Sequence, residues 1–152
     1  MATIALTGQD TLKINNRPIF DFADGDAGTL TFAASGLVTI KTGLNGNSIY
    51  SFSDGGRQCT LVLRLIRGSR DDRFLNRMFA IMKADFASFI LFNGELVKRI
   101  GDGNGGITED IYSLSGGVFA REVDIKATTA ASVEQPVATW TLLFNNAPRM
   151  IM

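Results

Sequence analysis

The sequence has no histidine, one cysteine, three prolines and no excess of either charge. Without histidine there can be no Ser-His-Asp or Cys-His nucleophile system, and most zinc sites are excluded as well. A single cysteine, Cys59, cannot form an intramolecular disulfide, so a disulfide-stapled secreted module is ruled out and folding in a reducing cytoplasm fits. Fifteen basic and fifteen acidic residues cancel over 152 residues, which leaves no global field to draw the chain to nucleic acid or an anionic membrane. No apolar run approaches the roughly 18 residues needed to span a bilayer. The stretch Met1–Asp10 has neither a basic n-region nor an apolar h-region, so no signal peptide is expected. Repeats, low-complexity stretches and linkers are missing too, and residues 1–152 read as one domain.

What is present is apolar and glycine-rich. Hydrophobic residues make up 45% and charged residues 20%, enough to bury a core. The mean hydropathy of +0.14 is high for a small soluble monomer. It has two readings: part of the surface is covered by partners, or a large barrel core is well filled. The 16 glycines fall between short β-branched and aromatic runs, the pattern of strands joined by turns.

Strands are expected at Thr3–Leu6, Leu12–Asn15, Pro18–Phe20, Thr29–Ala33, Leu37–Lys41, Ser48–Ser53 and Thr60–Ile66. Asn15-Asn16 and Asn45-Gly46 read as hairpin turns because these residues tolerate positive φ. Thr60–Ile66 is apolar on both faces, so a covering layer or partner is expected on the second face. Further strands are expected at Ser88–Phe92 and Leu96–Ile100 around an Asn93-Gly94 turn. Asp110–Leu114 and Val118–Lys126 read as a hairpin around Ser115-Gly116-Gly117. Val137–Phe144 is the last long strand, with Ala138, Trp140, Leu142 and Phe144 on one face; a short tail follows. Thr128–Gln135 reads as a loop.

One helix stands out, from about Arg70 to Lys83. Ser69 caps it, Asp72 completes a variant capping box, and Asp71 and Asp72 suit the helix dipole. Phe74, Leu75, Met78, Phe79 and Met82 make one apolar stripe. The order strands–helix–strands predicts a mainly β chain: a two-sheet β-barrel or sandwich with one flanking α-helix.

Several features resemble sites without completing one. Gly101–Gly106 lacks the Gly-Lys-Ser/Thr of a phosphate loop, and Ser113 stands where a calcium loop needs a bidentate Glu. It reads as a hairpin loop. Cys59 precedes an apolar strand and reads as a buried, inert thiol. The acidic loop Asp21, Asp24 and Asp26 admits three readings: a hard-cation site, a solvated loop, or a channel lining that repels DNA. Arg64, Arg67, Arg70 and Arg73 are interleaved with Asp71 and Asp72, which suits a subunit boundary or a solvated face better than a nucleic-acid patch. No constellation supports catalysis, and no metal or cofactor is expected.

The stretches Asp24–Phe32, Leu37–Tyr50, Gly56–Ser69 and Asp71–Asn76 together resemble the tail tube proteins of contractile-tailed bacteriophages and prophages. The likeness lies in the layout: strand, Gly/Asn-rich hairpin, long apolar strand ending in a charged turn, helix opening on acidic residues. The closing Trp140–Phe144 strand also suits it. The resemblance implies the fold shared with the haemolysin-coregulated protein of type VI secretion. It implies six copies in a ring, rings stacked into a tube, and partners in the tail sheath, tape-measure protein, baseplate and tail terminator. DNA would transit a neutral or acidic lumen without specific binding, and the chain would reside in a virion tail assembled in the host cytoplasm. On this reading Gly43, Leu44, Asn45, Gly46 and Asn47 form a ring-stacking hairpin. Arg70, Asp71, Arg73 and Arg77 are expected to meet a neighbouring subunit or the sheath. Other readings are a tail terminator, cap or secretion-tube ring of the same fold, or a barrel holding an apolar ligand among Trp140, Phe144 and the helix methionines.

Overall fold

The computed structural model describes residues 3–7, 10–23, 27–33, 38–52, 57–101, 103–125 and 136–151. Its centre is the pair β7 (Cys59–Ile66) and β11 (Val137–Phe144), antiparallel over eight residues, with Trp140 opposite Leu63. β7 alternates strictly: Cys59, Leu61, Leu63 and Leu65 are buried, while Thr60, Val62, Arg64 and Ile66 are half-buried. The period of two places one row of side chains in the core and the other outside. β4 (Gly28–Phe32) pairs with the other edge of β7, and β1 (Thr3–Leu6) pairs with β4.

The second half is built on β8 (Phe92–Gly101) and β9 (Ile107–Phe119), followed by β2 (Thr11–Ile14) and β3 (Arg17–Ile19). β9 ties the halves together. Its Val118 and Phe119 pair with β11, while its earlier residues pair with β8 and with β12 (Arg149–Ile151). On the opposite side, the chain leaving β3 lays Phe22 against Leu65, with Ala23 N–H donating to Arg64 O at 2.8 Å. The two halves are thus joined at both ends, as a barrel-like pair of sheets. The short β10 (Asp124–Ile125) adds to β11. β5 (Val38–Thr42) and β6 (Ser48–Phe52) form a separate two-stranded sheet.

Helix α1 (Arg70–Ala84) lies over the core face that carries Trp140. Leu75 and Phe79 are buried, with Phe74, Met78 and Met82 packed beside them. Phe79 meets Trp140 and Phe119 edge-on, at centroid distances of 5.8 and 5.4 Å. The expected cap is present in a variant form. Asp72 N–H donates to Ser69 Oγ at 3.3 Å, and the Asp72 carboxylate reaches back to accept from Gly68 N–H at 2.9 Å. Its second oxygen accepts from Trp140 Nε1 at 2.9 Å, so the cap also fixes the largest core side chain. No helix among the described residues is long and apolar enough to cross a membrane.

The mainly β reading with one helix holds, but three local expectations do not. Asn93-Gly94 is not a turn: β8 runs straight through it, with a register shift between Phe92 and Gly94, and Ser88–Leu91 lies outside any strand. A Cβ at position 94 would stand 3.1 Å from Lys13 O, so close approach of β2, and not a reversal, explains that glycine. Ser115-Gly116-Gly117 is likewise inside β9, where the strand passes from one half to the other. At Gly117 a Cβ would sit 2.4 Å from the Phe92 ring and 2.7 Å from Phe144. The tail after Phe144 forms β12 where no strand was expected, held on β9 by Arg149 Nε donating to Asp110 Oδ1 at 2.7 Å. The loop expected at Thr128–Gln135 lies outside the described residues.

Candidate assembly surfaces

The hairpin read as a ring-stacking element is built from Gly43-Leu44-Asn45-Gly46-Asn47. Gly43 N–H donates to Asn47 O at 2.8 Å, and Gly46 N–H donates to Gly43 O at 3.1 Å. This makes a three-residue loop closed by Gly46 at φ +83. Asn45 does not share the positive φ; Asn15 and Asn16, at φ 51 and 64, form the two-residue turn between β2 and β3 instead. Leu44 stands fully exposed at the hairpin tip.

All ten strand residues of this hairpin are exposed. Directly opposed residues share a face, so the register Val38↔Phe52 and Ile40↔Tyr50 gathers four large apolar side chains on one side. Thr39, Lys41, Ile49 and Ser51 take the other. The hairpin is therefore amphipathic, yet its apolar face is not buried: Ile40 is 57% and Tyr50 70% exposed. An isolated two-stranded ribbon is marginal in water, and such a face is the usual mark of a partner site.

The residues expected to meet a subunit or sheath divide. Arg70, Arg73 and Arg77 are exposed on one side of α1. Asp71 is buried, at 3% exposure. Its Oδ2 accepts from Phe20 N–H at 2.8 Å and Asp21 N–H at 3.0 Å, while Arg17 lies 3.6 Å from Oδ1. Its carboxylate ties α1 to the chain leaving β3 and is engaged within the protomer. Asp21, read as part of an acidic loop, is thereby joined through its backbone to Asp71; Asp24 and Asp26 lie outside the described residues. Trp140 and Phe144, weighed as ligand contacts, are fully buried core. A polar pocket of about 250 Å³ is lined by Lys13, Asn15, Asn16, Asn93, Gly94 and Glu95.

Two features have no counterpart in the sequence reading. The first is the Asp110 cluster. This buried carboxylate accepts from Arg149 Nε and, at 3.3 Å, from Tyr112 OH. Burial, then the Asp110 charge, pushes the Tyr112 hydroxyl pKa up, and the hydrogen bond to Asp110 raises that of Arg149. The second is the turn after α1. Asp85 accepts from Ala87 N–H at 3.2 Å and from Ser88 Oγ at 2.9 Å, while Phe89 points to the core against Phe92 at 6.3 Å. That frame leaves Phe86, Ile90 and Leu91 exposed. Ile90 and Leu91 fall within the expected strand Ser88–Phe92, where alternation would bury one of the two.

No protein-family model and no curated protein matches the sequence. Solved structures do match the fold. A chain of the PVC sheath–tube complex, an extracellular contractile injection system in its extended state, aligns with a TM-score of 0.64 at 9% identity, over 98% of this chain and 93% of that one. A chain of the tube-terminating cap of the anti-feeding prophage gives 0.59 at 12% identity, over 98% and 92%. A chain of the six-fold symmetrised baseplate of the same prophage gives 0.51 at 14% identity, over 99% and 97%. Identities this low speak to the fold alone: the chain has a tail-tube-like fold, shared with components of contractile injection systems.

Proposed function

We propose that this chain is a structural tail protein that forms stacked, hexameric rings of the inner tube in a contractile bacteriophage tail. It acts by assembling and not by catalysis. The observation that carries this reading is the exposed apolar face of the β5–β6 hairpin on a fold shared with tube, cap and baseplate components. A monomer gains nothing from such a projection; a ring or stack does, because a repeated contact buries it in every copy. The sheet edges at β1 and β3, which pair on one side only among the described residues, would likewise be closed by neighbours in a ring. The tube would enclose the tape-measure protein, later pass DNA, and be surrounded by the sheath, with the exposed arginines of α1 on its outside.

The similarity to a tube-terminating cap supports a second reading, in which the chain forms a single terminal ring. Negative-stain electron microscopy of the purified protein, with its solution mass, separates the two. Hollow tubes are expected. Single rings that never stack would favour the cap, and a monomer at every concentration would remove both.

A further inference from the structure

The hairpin's apolar face requires a seat, and the turn after α1 has the properties of one. Phe86, Ile90 and Leu91 are 63%, 86% and 51% exposed, yet the turn that carries them is anchored by Phe89 and by the Ala87 N–H and Ser88 hydroxyl, both hydrogen-bonded to Asp85. A rigid display of apolar side chains loses little conformational entropy on docking. We propose that this turn, Asp85–Leu91, receives the Val38/Ile40/Tyr50/Phe52 face of the β5–β6 hairpin from a second copy of the chain. This inference rests on the assembly reading above and names the surface that completes it.

Three considerations favour a second copy as the occupant. The first is match: the hairpin offers four large apolar side chains on a ribbon, and the turn offers three on a knob. Together they would remove roughly 400 Å² per partner, about half of one side of a standard interface, which suits one contact among several per subunit. The second is charge. The guanidinium of Arg57 stands 5.6 Å over the Phe52 ring at the rim of the hairpin face, and the exposed carboxylate of Asp85 opens the turn. Opposite rim charges around an uncharged centre fix orientation without burying an ion. The third is symmetry. Either patch packing on its own twin would be isologous and close at two copies; pairing unlike patches is heterologous and continues from copy to copy.

The test uses engineered cysteines, because native Cys59 is 0% exposed and takes no part. Tyr50→Cys and Ile90→Cys are made separately, mixed, oxidised and run without reductant. The mixture should yield cross-linked dimer several-fold above either variant alone, and the double variant should yield a ladder. Ile90→Asp should abolish the assembly while leaving the melting temperature near that of the wild type, since the side chain is exposed in the protomer. Rings or tubes that form with no more 50–90 cross-link in the mixture than in the single variants would overturn this contact and leave the tube reading intact. Cross-linking of Ile90→Cys to itself as strong as in the mixture would show knob on knob and overturn it too. A wild-type chain that stays monomeric, with no cross-link at any concentration, would end both proposals.

Discussion

Cys59 shows at the level of one residue how burial replaces chemistry. Its thiol has 0% exposure and sits in β7 opposite Phe32 and Phe144. Burial pushes its pKa up from the usual 9.0 to about 11. The folded state therefore keeps the proton over a range where the unfolded chain gives it up. The sign follows: the contribution is fully present below about pH 9 and is lost as pH rises toward 11. At about 1.4 kcal/mol per pH unit, the wild type should lose on the order of 2–3 kcal/mol that Cys59→Ala does not lose. The alanine variant starts less stable because of its cavity, by about 1 kcal/mol. Urea midpoints at pH 8 and pH 11 should thus show the gap between the two closing or reversing. A gap that stays constant would mean the thiol is not held neutral by the core. Such a group is no nucleophile at neutral pH, in line with the buried, inert thiol expected from its place before an apolar strand. Asp71 is the contrasting residue. Its position in the first turn of α1 was legible as a dipole match, but its bonds to the amides of Phe20 and Asp21, some fifty positions away, were not. Nothing local distinguishes a surface carboxylate from one that a distant loop folds over.

Elements were legible where period and caps agree. β7, β11 and α1 fall at or within one or two residues of their expected bounds, since an apolar run of strand length, a 3.6-residue stripe and a Ser69–Asp72 cap each point to one structure. Glycine misled where its reason was contact and not reversal. Asn93-Gly94 and Ser115-Gly116-Gly117 have the composition of turns, but the atoms that demand a missing Cβ at Gly94 and Gly117 belong to Lys13, Phe92 and Phe144, on other strands, while Gly116 meets its φ of +67 inside β9 and not in a reversal. The hairpin at Asn45-Gly46 was called correctly because there the glycine's own φ of +83 sets the requirement. This leads to an element-scale expectation. Replacing Asn45-Gly46 with a pair of bulky β-branched residues strains that loop by roughly 1–2 kcal/mol, the cost of a left-handed conformation for such residues. Because β5–β6 is a sheet of its own, the strain stays in the hairpin and the barrel's melting temperature should hold. Tube growth should fail. Tubes of normal length by electron microscopy would show that the hairpin tip makes no contact between rings.

At the scale of the whole molecule, two surfaces compete to explain assembly. One is apolar: the β5–β6 face and the turn after α1. The other is ionic: Arg70, Arg73 and Arg77 along the exposed side of the helix. The balance of fifteen basic against fifteen acidic residues means that the basic strip has its complement elsewhere in the same chain, so charge alone does not decide between them. Their physics differs. Contacts between exposed charges fall off within about 8 Å at physiological salt and weaken further as salt rises. Burial of apolar area gains from sulfate and weakens on cooling. If copies associate through the apolar surfaces, oligomer mass measured by sedimentation should change little from 50 mM to 500 mM sodium chloride, rise with ammonium sulfate, and fall as the sample is cooled toward about 4 °C. Dissociation in sodium chloride with no response to cooling would assign assembly to the arginines of α1. The mean hydropathy of +0.14 favours the first outcome. The core alone does not absorb this apolar surplus. Val38, Ile40, Tyr50, Phe52, Phe86 and Ile90 all remain at the surface of a protomer whose barrel is already filled by Trp140 and its ring of phenylalanines.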